Sequence, residues 1–334
     1  MLQRMNELAT QSANGTNSNT DRKAIQDEID QLTTEIDRVS ETTKFNETYL
    51  LKGDGAEKAH NVNAHDAGLD GVTLTDKGDT VDVTLKTLNA GDKISIAGKN
   101  YTIGATTADA QKIVDAQKVD GKTVTVNGTT YTYKTNQWTN ADGSAATVGG
   151  GAAGSITIKG GDVVSDGTKT LTAMKDGANA AGADGIDDND STVITAGKAY
   201  QLQTAEIVKA SSIGTDTAAA VKNGANADKD ATATFTLNKG TVSYKDALSF
   251  NLHVGADADM TNKITVNIDS MNSAGLGVKG IKADTEQDAT YAIDAIADAI
   301  STVSSQRSAL GAVQNRLEHT INNLDNVVEN TTSA

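Results

Sequence analysis

Residues 293–328 read IDAIADAISTVSSQRSALGAVQNRLEHTINNLDNVV. Ile293, Ile296, Ile300, Val303, Leu310, Val313, Leu317, Ile321, Leu324 and Val328 recur there in steps of three, four and once seven. Such steps hold side chains on one face of a helix. The pattern begins near Asp284, where Asp284 with Gln287 three residues on resembles a capping box, and it runs to about Asn330. At about 1.5 Å per residue this is a rod of roughly 70 Å. A helix of that length with a single apolar stripe needs partner helices to cover it.

The other end of the chain supplies the partners. Leu2, Met5, Ala9 and Ser12 form a narrow helical stripe, and Asn14-Gly15-Thr16-Asn17-Ser18-Asn19 has the composition of a loop. Thr20-Asp21 is predicted to cap a second helix, with an acidic first turn. In it Ile25, Ile29, Leu32, Ile36 and Val39 step by four and three, as in a heptad seam. The two ends are therefore predicted to lie side by side. The fold class is α+β and multidomain: an elongated helical rod from 1–54 and 248–334, with short β segments at 44–54 and 248–283, carrying an inserted β-rich outer domain at 55–247, divisible into two subdomains. The rod core is predicted from Ile25, Ile29, Leu32, Ile36, Val39, Ile296, Val303, Leu310, Leu317 and Leu324.

The middle of the chain alternates. Lys93-Ile94-Ser95-Ile96 leads through Ala97-Gly98 into Lys99-Asn100-Tyr101-Thr102-Ile103. Thr123-Val124-Thr125-Val126 leads through Asn127-Gly128 into Thr129-Thr130-Tyr131-Thr132-Tyr133. Asn-Gly between alternating runs is a type I′ hairpin signal, so a repeated hairpin is predicted. Gly149-Gly150-Gly151 and the run from Gly177 to Asp190 read as loops. Further on, Leu248, Phe250, Leu252 and Val254 alternate, as do Ile264, Val266 and Ile268.

Composition excludes several functions. The 334 residues carry a net charge of −15 with no basic block, which argues against a nucleic-acid partner. Cysteine is absent, so no disulfide, thiol nucleophile or cysteine-based metal site exists. Proline is absent as well, where average usage predicts roughly 17. Without proline the chain avoids slow cis/trans isomerisation, which suits export unfolded and refolding elsewhere. Aromatic residues make up 3%, so the core must be thin and built from small and β-branched side chains. No apolar run is long enough to span a membrane and no signal peptide is visible. Met1 opens straight into a helical pattern without a cap, as in a chain begun inside a longer helix.

Leu2-Gln3-Arg4-Met5-Asn6-Glu7-Leu8-Ala9-Thr10-Gln11-Ser12-Ala13-Asn14, with Glu35-Ile36-Asp37-Arg38-Val39 and Thr43-Lys44-Phe45-Asn46, resembles the N-terminal region of bacterial flagellins. Ser305-Gln306-Arg307-Ser308-Ala309-Leu310-Gly311-Ala312-Val313-Gln314-Asn315-Arg316-Leu317 is similar to the family's C-terminal motif. Val254-Gly255-Ala256, Ile264-Thr265-Val266 and Met271 through Leu276-Gly277 resemble its flanking β segment. The resemblance implies a secreted, extracellular subunit of the flagellar filament, with other flagellin subunits, an export chaperone and a cap protein as partners. It also implies that this chain starts after the first terminal helix and stops before the second. A soluble monomer is therefore expected.

The resemblance further implies recognition by Toll-like receptor 5 through Gln3, Arg4, Glu7, Leu8 and Gln11 on the first helix and Glu28 on the second. On a helical wheel these first-helix residues are expected opposite Leu2, Met5, Ala9 and Ser12. That places Leu8 as an exposed apolar anchor beside Arg4, the composition of an interface hot spot. The same face is also expected to pack on neighbouring subunits.

No catalytic constellation stands out. A zinc protease needs two histidines at helical spacing around a Glu, and His60, His65, His253 and His319 do not provide it. No Gly-x-Ser-x-Gly elbow accompanies a histidine, and no phosphate loop is present. The expectation is no enzyme, no cofactor and no metal, with calcium at the acidic run Asp184–Asp190 a minor alternative. The rival reading is another flagellar axial protein or a coiled-coil adhesin.

Overall fold

Ser18 closes the first loop and starts the second helix, with Asp21 N–H donating to Ser18 Oγ (3.2 Å) and Ser18 N–H to Asp21 Oδ2 (3.2 Å). This reciprocal box sits two residues before the Thr20 cap predicted above, because an acidic residue three positions after a Ser satisfies two free amides at once. The computed structural model describes residues 1–177, 183–224, 226–254 and 262–333. Part of the Gly177–Asp190 loop and Gly255-Ala256 lie outside the described residues. Helix α1 spans Leu2–Ser12, α2 Asn19–Thr42, α3 Thr107–Ala116, α4 Ala196–Ala210 and α5 Glu286–Ser333. The cap of α5 is Thr285 with Asp288, whose N–H donates to Thr285 Oγ1 (3.0 Å), not Asp284 with Gln287.

α1, α2 and the first half of α5 form the rod. Met5, Leu8, Ala9, Ile25, Ile29 and Ile36 pack against Ala289, Ala292, Ala295, Ile296 and Ala299 of α5. The run of alanines on α5 lets the other helices approach closely, which explains a sound core without aromatics. The segment Leu276–Ala283 lies in the same core and is stitched to the helices through its backbone. Gln26 donates to Ile281 O (3.1 Å) and accepts from Ala283 N–H (2.5 Å), Ser12 Oγ donates to Ala283 O (2.5 Å), and Asp37 accepts from Ser273 N–H (2.7 Å).

The rod core is shorter than the apolar stripe. Ile25, Ile29, Ile36 and Ile296 are buried, while Leu32 and Val303 pack on the core from a partly buried position and Val39 is half-buried. Leu310, Leu317 and Leu324, expected in the core, remain half-exposed, and Ile321, Val327 and Val328 are 56, 54 and 62% exposed. The reason is length: α5 has 48 residues and α1 only 11, so the described partners cover α5 from about Ala289 to Val303. Periodicity marks a face that can be buried, not the element that buries it.

Arg22 holds the α1–α2 corner. It is buried, and its guanidinium donates to the carbonyls of Ser12 (3.0 Å), Asn17 (3.0 Å) and Asn14 (3.1 Å). Arg22→Ala is expected to destabilise the rod by about 3 kcal/mol, because three carbonyls lose a charged donor. Arg22→Lys should recover only part of that, since an ammonium cannot reproduce the planar fork. Urea unfolding followed by helical circular dichroism measures both.

After α2 a short hairpin pairs Lys44–Phe45 with Thr48–Tyr49, turning through Asn46 (φ 47°) and Glu47 (φ 67°). The chain then leaves the rod along Asp54–Asn61 and returns along Thr241–Asp246, two antiparallel strands paired with each other. Leu248–His253 pairs with Lys263–Ile268, burying Leu248, Ile264, Val266 and Ile268.

The excursion holds two cores. In the first, the four strands Ala220–Val221, Thr234–Asn238, Thr80–Thr84 and Thr73–Asp76 and the three strands Val193–Ile194, Lys99–Ile103 and Lys93–Ile96 pack around α4, with Val83, Ile103, Ile207 and Leu237 at the centre. In the second, five strands in the order Gln137–Thr139, Thr129–Lys134, Thr123–Val126, Val163–Ser165 and Thr170–Thr172 cover Ala110, Ile113 and Val114 of α3. Trp138 is 1% exposed there, edge-on to Tyr133 at 5.1 Å. Both repeated hairpins are present, with Ala97-Gly98 and Asn127-Gly128 all at positive φ, but they belong to different sheets. α3 and α4 were not expected within a β-rich stretch; each follows a Thr cap, Thr106 with Asp109 and Thr195 over Lys198 N–H.

Further contacts seat the excursion on the rod. Tyr291 of α5 inserts into the first core, and Lys279 pairs with Asp216 (2.5 Å). Gly214 lies so close to Gly277 that a Cβ would sit 2.3 Å from its carbonyl oxygen.

Candidate partner-binding face of the rod

Arg4 sits in the first turn of α1 and reaches across to α2, where its Nε donates to Glu28 Oε1 (2.8 Å) and Nη2 to Glu28 Oε2 (3.3 Å). A third contact runs along α1 to Glu7 Oε2 (3.4 Å). The Arg4 and Glu28 side chains are 50 and 43% exposed. Hydrogen bonding to Glu28 first, then to Glu7, raises the Arg4 guanidinium above its ordinary value, so its charge is permanent. Gln3, Glu7 and Gln11 are exposed on the same side of α1. Gln3, Arg4, Glu7, Gln11 and Glu28 thus form one polar, two-helix surface.

Leu8 does not belong to its exposed part. It is 2% exposed and packs in the rod core. Counted by helical steps, Leu8 lies three residues after Met5 and four before Ser12, both buried, so the stripe of α1 is Met5, Leu8, Ala9 and Ser12. The expected exposed anchor is therefore part of the rod core.

Arg22, Gln26 and Asp37, which bind backbone, escaped the sequence reading. Arg22 and Gln26 had left a signal: both fall on the side of α2 that carries Ile25, Ile29 and Ile36, and a polar residue on an apolar stripe must find buried partners.

The remaining chemistry is structural. Asp176 accepts N–H bonds from Asp184 (2.8 Å) and Gly185 (2.9 Å), and Asp187 accepts from Lys175 (2.8 Å) and Asn189 (2.8 Å). Carboxylates of the acidic run are thus turned onto loop amides. Among the described residues no group of three His, Asp or Glu side chains converges to hold a metal ion, and no helix is long and apolar enough to cross a membrane.

Comparison with known proteins agrees with the architecture at both ends. The family profile described as "Bacterial flagellin N-terminal helical region" matches residues 1–56, and "Bacterial flagellin C-terminal helical region" matches residues 293–334. Flagellin of Clostridium tyrobutyricum is 33% identical over 340 residues, covering 100% of this chain and 67% of that protein. Flagellin of Salmonella typhimurium (strain LT2) is 32% identical, covering 100% of this chain and 73% of the relative. Flagellin C of Vibrio cholerae serotype O1 is 30% identical, and the chain spans only 64% of its length. With helices from both chain ends packed together around an inserted β-rich region, the chain belongs to the bacterial flagellins, structural proteins of the flagellum rather than enzymes.

Proposed function

We propose that the chain is a subunit of the extracellular flagellar filament, secreted for assembly, and that it acts by packing exposed rod faces against other flagellin subunits. Its mechanism is mechanical: no bond is made or broken, and motility follows from the shape of the polymer. An export chaperone and a cap protein are the further partners of this reading. The relatives' names and the exposed apolar stripe from Leu310 to Val328 support the assembly reading.

The same reading assigns the surface of Gln3, Arg4, Glu7, Gln11 and Glu28 to Toll-like receptor 5, with Leu8 in the rod core. One observation carries this: Arg4 of α1 and Glu28 of α2 join the two helices in a half-exposed, ion-paired patch. An Arg held by hydrogen bonds within a polar surface is the residue type on which interface energy concentrates. In a receptor reporter assay, Arg4→Ala is expected to lower potency about thirtyfold, the size of a hot-spot loss of about 2 kcal/mol. Glu28→Ala should weaken it less, because it frees the guanidinium without removing it. Equal potency of wild type and Arg4→Ala would exclude this face.

A further inference from the structure

Past Val303 the long helix α5 keeps its apolar spacing but loses its cover. Val303, Leu310, Leu317 and Leu324 are seven apart, and Ile300, Arg307, Gln314, Ile321 and Val328 alternate with them in steps of three and four. This is the spacing of a two-helix seam, with Arg307 and Gln314 as its polar members. Val303 and Leu310 border a groove of about 510 Å³, walled also by Leu2 of α1, Ile36 of α2, Leu51 and Ile268. Beyond the groove Leu317 and Leu324 are half-exposed, and Ile321 and Val328 are 56 and 62% exposed. Leu310 belongs to both, so groove and stripe make one apolar strip running on from the rod core.

The charges of this strip are sorted along the helix axis. Residues 304–317 carry Arg307 and Arg316 and no acidic side chain. Residues 318–333 carry Glu318, Asp325 and Glu329 and no Lys or Arg. All five side chains are exposed. Two such helices laid parallel would set like charge beside like. Laid antiparallel, each basic half meets an acidic half, and complementarity of this kind fixes the orientation of paired helices.

We propose that two copies of this chain pair through α5, antiparallel, about a two-fold axis between Asn315 and Arg316. In this register Leu310 packs on Ile321 of the second copy and Val303 on Val328 of the second copy. The far end of each helix thus enters the groove of the other. Arg307 lies nearly level with Asp325 of the second copy. The same strip serves on both sides, so the contact closes at two chains. Filament growth needs an open, head-to-tail contact instead. The pair is therefore distinct from filament packing, and it holds the stripe from Leu310 to Val328 away from further subunits. It also departs from the monomer that the family resemblance implied.

Sedimentation velocity of the intact chain across micromolar concentrations tests this, and a reversible dimer is expected. Leu317→Asp puts a carboxylate into the seam twice per dimer and should weaken association about a hundredfold or more. Leu317 lies outside the rod core, so the rod of this variant should melt as in the wild type at a dilution where both are monomers. Because the chain has no cysteine, introduced ones report orientation. Ser304 is level with Val327 of the second copy in the antiparallel register, while each lies about 35 Å from its own equivalent. A mixture of Ser304→Cys and Val327→Cys should then be joined by a short bismaleimide, and neither variant alone. A monomer at every concentration, association unchanged in Leu317→Asp, or single variants that link to themselves would overturn the proposal. So would species that keep growing beyond two chains.

Discussion

Ile29→Ala is expected to destabilise the rod by about 2–5 kcal/mol. Ile29 is fully buried where α1, α2 and α5 meet, and its neighbours on α5 are largely alanines. Alanines have no flexible side chain with which to fill the void, so the loss should fall in the upper part of that range. Ile29→Asp should prevent the rod from forming at all, since the carboxylate would be buried without a partner. Because the second outer core contains no residue of the rod, the effect should not reach it. The single tryptophan, Trp138, lies in the most distant of the three cores and reports on it alone. Thermal melting of Ile29→Ala is expected to show helix loss at a lower temperature with the Trp138 fluorescence midpoint unmoved. Coincident shifts of both signals would mean that the cores unfold as one unit.

Tyr291→Ala is the second large effect, expected to cost about 3–5 kcal/mol. Tyr291 grows from the rod helix but is 4% exposed inside the first outer core. Its hydroxyl donates to Glu206 Oε2 (2.6 Å), and Gln287 donates to the same carboxylate oxygen and to the phenol. Glu206 is itself buried on α4, with Lys209 as its nearest cation at 3.4 Å. Truncation would therefore leave both a cavity and an under-satisfied carboxylate. Tyr291→Phe keeps the packing and should cost about 1–3 kcal/mol, the penalty for the lost donor alone. Small-angle scattering should show a wider spread of rod-to-outer-domain angles for Tyr291→Ala and little change for Tyr291→Phe. Titration gives a second readout. Burial, then the hydrogen bond to Glu206, raises the Tyr291 hydroxyl well above its ordinary value. A raised folded value means that this stabilisation is complete below the unfolded phenol value of about 10 and is lost as pH climbs above it. Tyr291→Phe should flatten that alkaline loss.

The rod was legible because its stripes are local. Ile25, Ile29 and Ile36 announce a buried face through spacing that survives without any knowledge of neighbours, and Ile296 does the same on α5. Spacing does not say where burial stops, which is why Leu317 and Leu324 looked identical to Ile296 until α1 and α2 were seen to end short of them. Leu8 was misplaced although its own neighbours gave the answer; a stripe with two adjacent apolar positions is wider than the single row Leu2, Met5, Ala9 and Ser12. In the outer region the hairpins at Ala97-Gly98 and Asn127-Gly128 were readable from turn chemistry, which is also local. Which hairpin joins which sheet depends on pairings such as Val164 with Val126, made by residues far apart in sequence. α3 and α4 are short helices rich in Ala, and their Thr caps are the local signal that sets them apart from the loops around them. Of the rod face, the identities of Arg4 and Glu28 were legible, but their mutual contact was not, since it joins two helices across a loop.

Lys58 and Tyr244 face each other across the paired strands by which the chain leaves and rejoins the rod. Everything between them is, for the rod, a closed detour whose two ends are already fastened together. Lengthening such a detour adds only a logarithmic entropic cost, and a change at its far end, away from the core that holds Tyr291, leaves the packing of Ile29 against Ile296 in place. The second outer core, which contains no residue of the rod, is thus free to grow, shrink or be exchanged for foreign sequence while the helices beneath stay in register, which makes its exposed turn at Gly167 a natural place to graft a reporter or an epitope.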